Sequence, residues 1–101
     1  MALGLHEDDF LIYIADTQSR AIDLVPMIVR ENFALSGGNT IRSKDGKTIV
    51  GIVTTWRAVA AQGLSGIHGR IHVWVSGHPT EYERGQVKNV ASHWLSHVEG
   101  L

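Results

Sequence analysis

A chain of 101 residues without cysteine has the length of one domain and must hold its fold by one hydrophobic core, with disulfides and thiolate metal sites excluded, as fits a reducing, cytoplasmic setting. Its hydrophobic share of 44% suffices to order the chain, and its charged share of 19% is below the roughly 25% of an average soluble domain, which hints at a surface turned toward another subunit. The net charge of −1 excludes a strongly basic or acidic protein, the short acidic start Met1 to Asp9 does not resemble a secretory or transit leader, and no apolar run is long enough for a membrane-spanning helix, so no membrane partner is expected.

Residues 1–8 are expected to be loosely ordered. Phe10 to Ala15, FLIYIA, is a short run rich in β-formers and bounded by acids, which predicts a buried strand. Asp16 and Thr17 then offer an N-cap, and Ile22, Val25, Val29 and Phe33 recur at helical spacing, so residues 18–35 read as a helix that stops before Gly37 and Gly38. Pro26 interrupts that helix, either kinking it or standing in the first turn of a helix begun near Asp23. Asp45-Gly46 between two β-prone runs predicts a hairpin, with strands over 39–43 and 48–60 and a possible bulge at Gly51.

After a glycine-punctuated turn at 62–66 the chain alternates. Ile67, Gly69, Ile71, Val73 and Val75 fall on one face of a strand, and His68, Arg70, His72 and Trp74 on the other. Thr80 to Glu83 has the form of a capping box, and Val87, Val90, Ala91, Trp94, Leu95 and Val98 form the apolar stripe of a helix closed by Gly100. The result is a single α+β domain in the order β-α-β-β-β-α, with a mixed or antiparallel sheet and helices packed on one face.

Charge is segregated along the chain. Residues 1–35 carry six acids against Arg20 and Arg30, whereas residues 36–78 carry Arg42, Lys44, Lys47, Arg57 and Arg70 against Asp45 alone. Such blocks either neutralise each other across the fold or serve an anionic partner or head-to-tail self-association.

The leading candidate site is the ladder His68, Arg70, His72 and Trp74. Alternate strand residues project side by side at nearly 7 Å, and Trp56 and Arg57 on the preceding strand would extend the strip. Indole and guanidinium groups anchor protein interfaces and stack on bases, so the strip suits a second copy, another protein or a single-stranded nucleic acid; alternatively Trp74 lies under a helix. His93 and His97, four apart in HWLSH, could share zinc or another divalent ion if His72, His78 or Glu99 supplied a third ligand; otherwise they are solvent-edge histidines and no cofactor is needed. No nucleophile elbow, phosphate loop or dinucleotide glycine pattern is present, and Asp16 reads first as a helix cap and second as a residue lining a site. The expected function is therefore non-enzymatic binding through protein contacts, with homo-oligomerisation; nucleic-acid binding and a histidine-dependent metal protein or enzyme are the alternatives.

Two resemblances are local. VKNVASHWL is similar to the second helix of double-stranded RNA-binding domains, although Glu81 and Glu83 stand where that family carries basic residues. RIHVWVSG followed by an amphipathic helix resembles the end of small phage tail-completion proteins, which implies a structural ring subunit.

Overall fold

The computed structural model describes residues 9–62 and 70–99, with side chains described for 9–62 and 71–87. The first strand, β1 (Asp9–Ala15), stands in the middle of the sheet because its apolar run is continuous: Leu11 to Ala15 are all buried, so both of its faces are covered. Next to it lie β4 (Ile49–Thr55) on one side and β5 (Arg70–Val75) on the other, both parallel to it, with Ala15 opposite Thr55 and Ile14 opposite Val75. β2 (Phe33–Ser36), β3 (Thr40–Ser43) and β4 form an antiparallel meander, and β6 (Leu95–Glu99) adds to β5 in parallel. Among the described residues six strands run in the order β2-β3-β4-β1-β5-β6, a mixed sheet in a single α+β domain, the first of the two sheet types, mixed or antiparallel, that the sequence predicts.

The helices line both faces of this sheet, not one. Leu11, Tyr13 and Ala15 join Ile41 and Val53 beneath α1 (Gln18–Asp23) and α2 (Met27–Asn32), which contribute Ala21 and Val29. Ile12 and Ile14 join Ile71 and Val73 beneath α3 (Trp56–Gln62) and α4 (Glu81–Trp94), which contribute Trp56, Val59 and Val87. Strand alternation sends neighbouring residues of β1 into two separate cores, and apolar residues at every position are what both cores require.

Local signals hold where they are strong. Gly46 takes φ +75°, its N–H bonds the Ser43 carbonyl at 2.8 Å, and the hairpin closes with Ser43 N–H on Thr48 O at 2.8 Å. The Asp45 carboxylate accepts from the Ser43 hydroxyl and the Lys47 N–H, which together hold its pKa below the ordinary value. The capping box closes reciprocally: Glu83 N–H donates to Thr80 Oγ1 at 3.2 Å and Thr80 N–H to Glu83 Oε1 at 2.7 Å. Register slips between Ile41 and Arg42 opposite Ile49 and Gly51, beside the glycine named as a bulge. At Gly51 itself a Cβ would press on the Leu11 carbonyl oxygen, so glycine is what lets β4 approach β1.

Three further expectations are corrected. The helix over 18–35 is two short helices and a strand: Leu24 and Val25 turn back onto Ala21 O and Ile22 O, and Pro26, with no N–H to give, becomes the N-cap of α2. Phe33 then extends (φ −134°, ψ 166°) and pairs with Ser43, keeping its place on the apolar face as a strand residue. The run over 48–60 changes state at Trp56, because Thr55 Oγ1 accepts the Ala58 N–H as a cap and the Ala-rich stretch favours helix. The last helix ends at Trp94, and Leu95–Glu99 instead pairs along β5, so the strand edge wins the residues assigned to the final turn. Residues 1–8, the turn at 63–66 and Gly100 lie outside the described residues.

Candidate functional site

The histidine–tryptophan strip is only partly gathered. His72 and Trp74 share a face of β5 and stand opposite Leu11 and Tyr13. The Trp74 ring lies parallel to Tyr13, centroids 4.9 Å apart, with His72 stacked 6.2 Å from it, and the half-buried indole packs against the core beneath α1 and α2. His72 Nε2 is 3.3 Å from Oδ1 of the buried Asp9, an ion pair when the imidazole is protonated. His68 and the side chain of Arg70 lie outside the described residues, although Arg70 itself stands opposite Asp9 in the ladder. The described part of the strip thus turns toward the interior.

Trp56 and Arg57 do not extend it. Trp56 is 3% exposed in the opposite core, its Nε1–H donating to Ser76 O at 2.7 Å, and Arg57 is exposed in the first turn of α3. His93 lies in α4 and His97 in β6, opposite His72, so the one-turn spacing on a single helix that suggested a shared ion is replaced by two different elements. Their side chains lie outside the described ones, and among the described residues no three metal-binding side chains cluster.

A second constellation forms where β4, β1 and β5 end together. Asp16 follows β1 and is not the cap of α1; that role falls to Thr17, whose hydroxyl accepts the Arg20 N–H at 3.3 Å. Asp16 instead receives the His78 N–H on both carboxylate oxygens, at 3.0 and 3.1 Å, across 62 positions of sequence. Gly77 makes this possible with φ +93°, and a Cβ there would meet the Asp16 carboxylate at 2.5 Å. Ser76 N–H adds a bond to Ile14 O at 3.0 Å, and Trp56 holds Ser76 from the other side. Segment 76–78 is therefore pinned by β1, Asp16 and α3, leaving the Asp16 and His78 side chains exposed beside the start of α3, where Arg57 is. On the opposite flank of β1, Gln18 donates to Gly38 O and, at 3.1 Å, to Val53 O, fastening α1 to the end of the meander.

The sequence offers Asp16 as a second-choice site residue after its reading as a helix cap, and His78 as a third metal ligand or as one of the histidines, with His72, His93 and His97, of a metal protein or enzyme. A usable signal existed: an acid directly after a fully apolar strand, and a Ser-Gly-His turn directly after the next strand parallel to it. Its meaning depended on those strands being neighbours. No family model, curated protein sequence or solved structure matches this chain.

Proposed function

We propose that the chain is a binding domain whose ligand crosses the carboxyl edge of β1, between the β1–α1 turn and segment 76–78, and that this ligand is a nucleotide unit, free or within a nucleic-acid strand. The observation that supports the reading is the position of Asp16. In an open sheet, parallel neighbours whose connections leave toward opposite faces part at their carboxyl ends and open a crevice there. β1 sends its chain to α1 on one face, while β4 and β5 send theirs to α3 and α4 on the other. Asp16 stands at that parting, an acceptor for sugar hydroxyls, and the exposed Arg57 and His78 offer donors for phosphate. The proposal assigns no reaction.

Nuclear magnetic resonance titration of the full chain with a nucleoside monophosphate and with single- and double-stranded oligonucleotides tests it. Shifts should concentrate at residues 16–18, 55–57 and 76–78, affinity should fall steeply with salt, and Arg57→Ala and His78→Ala should each weaken binding several-fold. Unchanged spectra at low salt with every one of these ligands would remove the reading.

Self-association is the second part of the proposal. It is favoured by the exposed apolar side chains Met27, Ile28 and Leu35, which gather on consecutive elements, α2 and β2.

A further inference from the structure

β2 ends the sheet. Its inner side pairs with β3, Phe33 opposite Ser43, Ala34 opposite Arg42, Leu35 opposite Ile41 and Ser36 opposite Thr40, and among the described residues its outer side pairs with nothing. Edge strands in monomers are usually guarded by charge, proline or a bulge against pairing with another chain. β2 has none of these: its sequence is FALS, the register slip of this sheet region falls between β3 and β4, and Ala34, Leu35 and Ser36 are exposed. Leu35 is 40% exposed, and α2, which runs directly into β2, adds Met27 at 68% and Ile28 at 42%.

We infer that β2 is a self-pairing edge: two copies of this chain join β2 to β2 in antiparallel fashion about a two-fold axis normal to the sheet, extending it across both subunits. This deepens the self-association reading by naming its surface. Three observations select a second copy as the occupant. A two-fold axis normal to the sheet keeps each face on its own side, so residues opposite one another must share a face; setting Ala34 against Ala34 of the second copy places each Leu35 across from Phe33, an apolar match made wholly from this strand. The same operation leaves α2 on the same side as its counterpart, since Val29, Phe33 and Ile41 belong to one core, and brings the Met27 and Ile28 regions to flank the axis. Finally, residues 27–39 carry one arginine and one glutamate, so two copies meet without net repulsion, whereas a charged peptide would find no net countercharge. With only four residues per strand, the dimer is of the weak, concentration-dependent class.

Sedimentation velocity of the full chain over a wide concentration range reads the outcome. The expected result is a shift from monomer toward twice the monomer mass as concentration rises, abolished by Leu35→Lys, which places like charges near the axis, and weakened at least several-fold by Met27→Glu. Circular dichroism and melting of both variants should match the parent, because both side chains are exposed; if Leu35→Lys fails to fold, Met27→Glu decides alone. Hydrogen exchange at Ala34 to Ser36 should slow as concentration rises. A parent chain that stays monomeric throughout overturns self-association itself. A parent dimer that both folded variants preserve, with unchanged exchange at β2, overturns the edge alone and moves the contact elsewhere on the molecule.

Discussion

Replacing Tyr13 by phenylalanine removes one oxygen from the middle of the molecule and leaves the ring in place. Tyr13 is 1% exposed, its ring lies 4.9 Å from Trp74, and its hydroxyl, cut off from water, has no hydrogen-bond partner among the described residues. A buried hydroxyl without a partner costs about 1–3 kcal/mol in proteins, and phenylalanine preserves the stacking and the volume. Tyr13→Phe should therefore stabilise the fold by about 1 kcal/mol at neutral pH, raising the melting temperature by roughly 4–8 °C for a domain near this size.

Alkaline pH gives the same substitution a second readout. Burial pushes the Tyr13 hydroxyl from 10.0 up to about 12. A folded-state pKa above the unfolded value means that the native state holds its proton longer, so this contribution is whole below pH 10 and is lost as pH rises from about 10 toward 12. Two pKa units set a ceiling of about 2.7 kcal/mol on that loss. Urea unfolding followed by tryptophan fluorescence, at pH 7 and again near pH 11, checks both statements. The parent should lose stability between the two conditions, and the phenylalanine variant should lose less. If Tyr13→Phe were destabilising at pH 7 by 1 kcal/mol or more, the hydroxyl must have a partner and the reasoning fails.

Two further outcomes follow from the capping and carboxyl-edge geometry. Gly77→Ala puts a Cβ against the Asp16 carboxylate at a backbone φ of +93°, and should cost about 1–3 kcal/mol in chemical unfolding while speeding hydrogen exchange at His78. Thr80→Ala opens half of the reciprocal cap on α4 and should cost about 1 kcal/mol, measured by thermal unfolding, with Thr80→Ser recovering most of it.

The elements legible in the sequence are those whose cause lies within a few residues. Asp45-Gly46 closes a hairpin because glycine admits φ +75° there, and Thr80 with Glu83 starts a helix because each side chain reaches the other's N–H. FLIYIA is a buried strand because no charged side chain interrupts it, and β5 alternates as written. Where two states compete for one segment, the local pattern misleads. Ile22, Val25, Val29 and Phe33 do share an apolar face, yet Phe33 reaches it as a strand residue, and the residues after Trp94 satisfy the edge of β5 in place of a final helical turn.

The candidate sites divide in the same way. The spacing of His72 and Trp74 on one face of a strand follows from the period of an extended chain, and it holds. Whether that face looks outward depends on Tyr13, contributed by a strand about sixty residues earlier, and Tyr13 draws the indole inward. Asp16 and His78 were both visible as residues, but their contact exists only because β1 and β5 are parallel neighbours that end together.

Composition and short-range pattern by themselves determined that this chain makes one α+β domain, with a cysteine-free core, a hairpin at Asp45-Gly46 and a capped helix at Thr80. Strand order, the division of β1 between two cores, the clasp of Asp16 on segment 76–78 and the open β2 edge were decided by tertiary structure alone. The physical reason is range: capping, turn geometry and side-chain periodicity act over a few residues, whereas sheet neighbours are chosen by which distant apolar faces can be buried together.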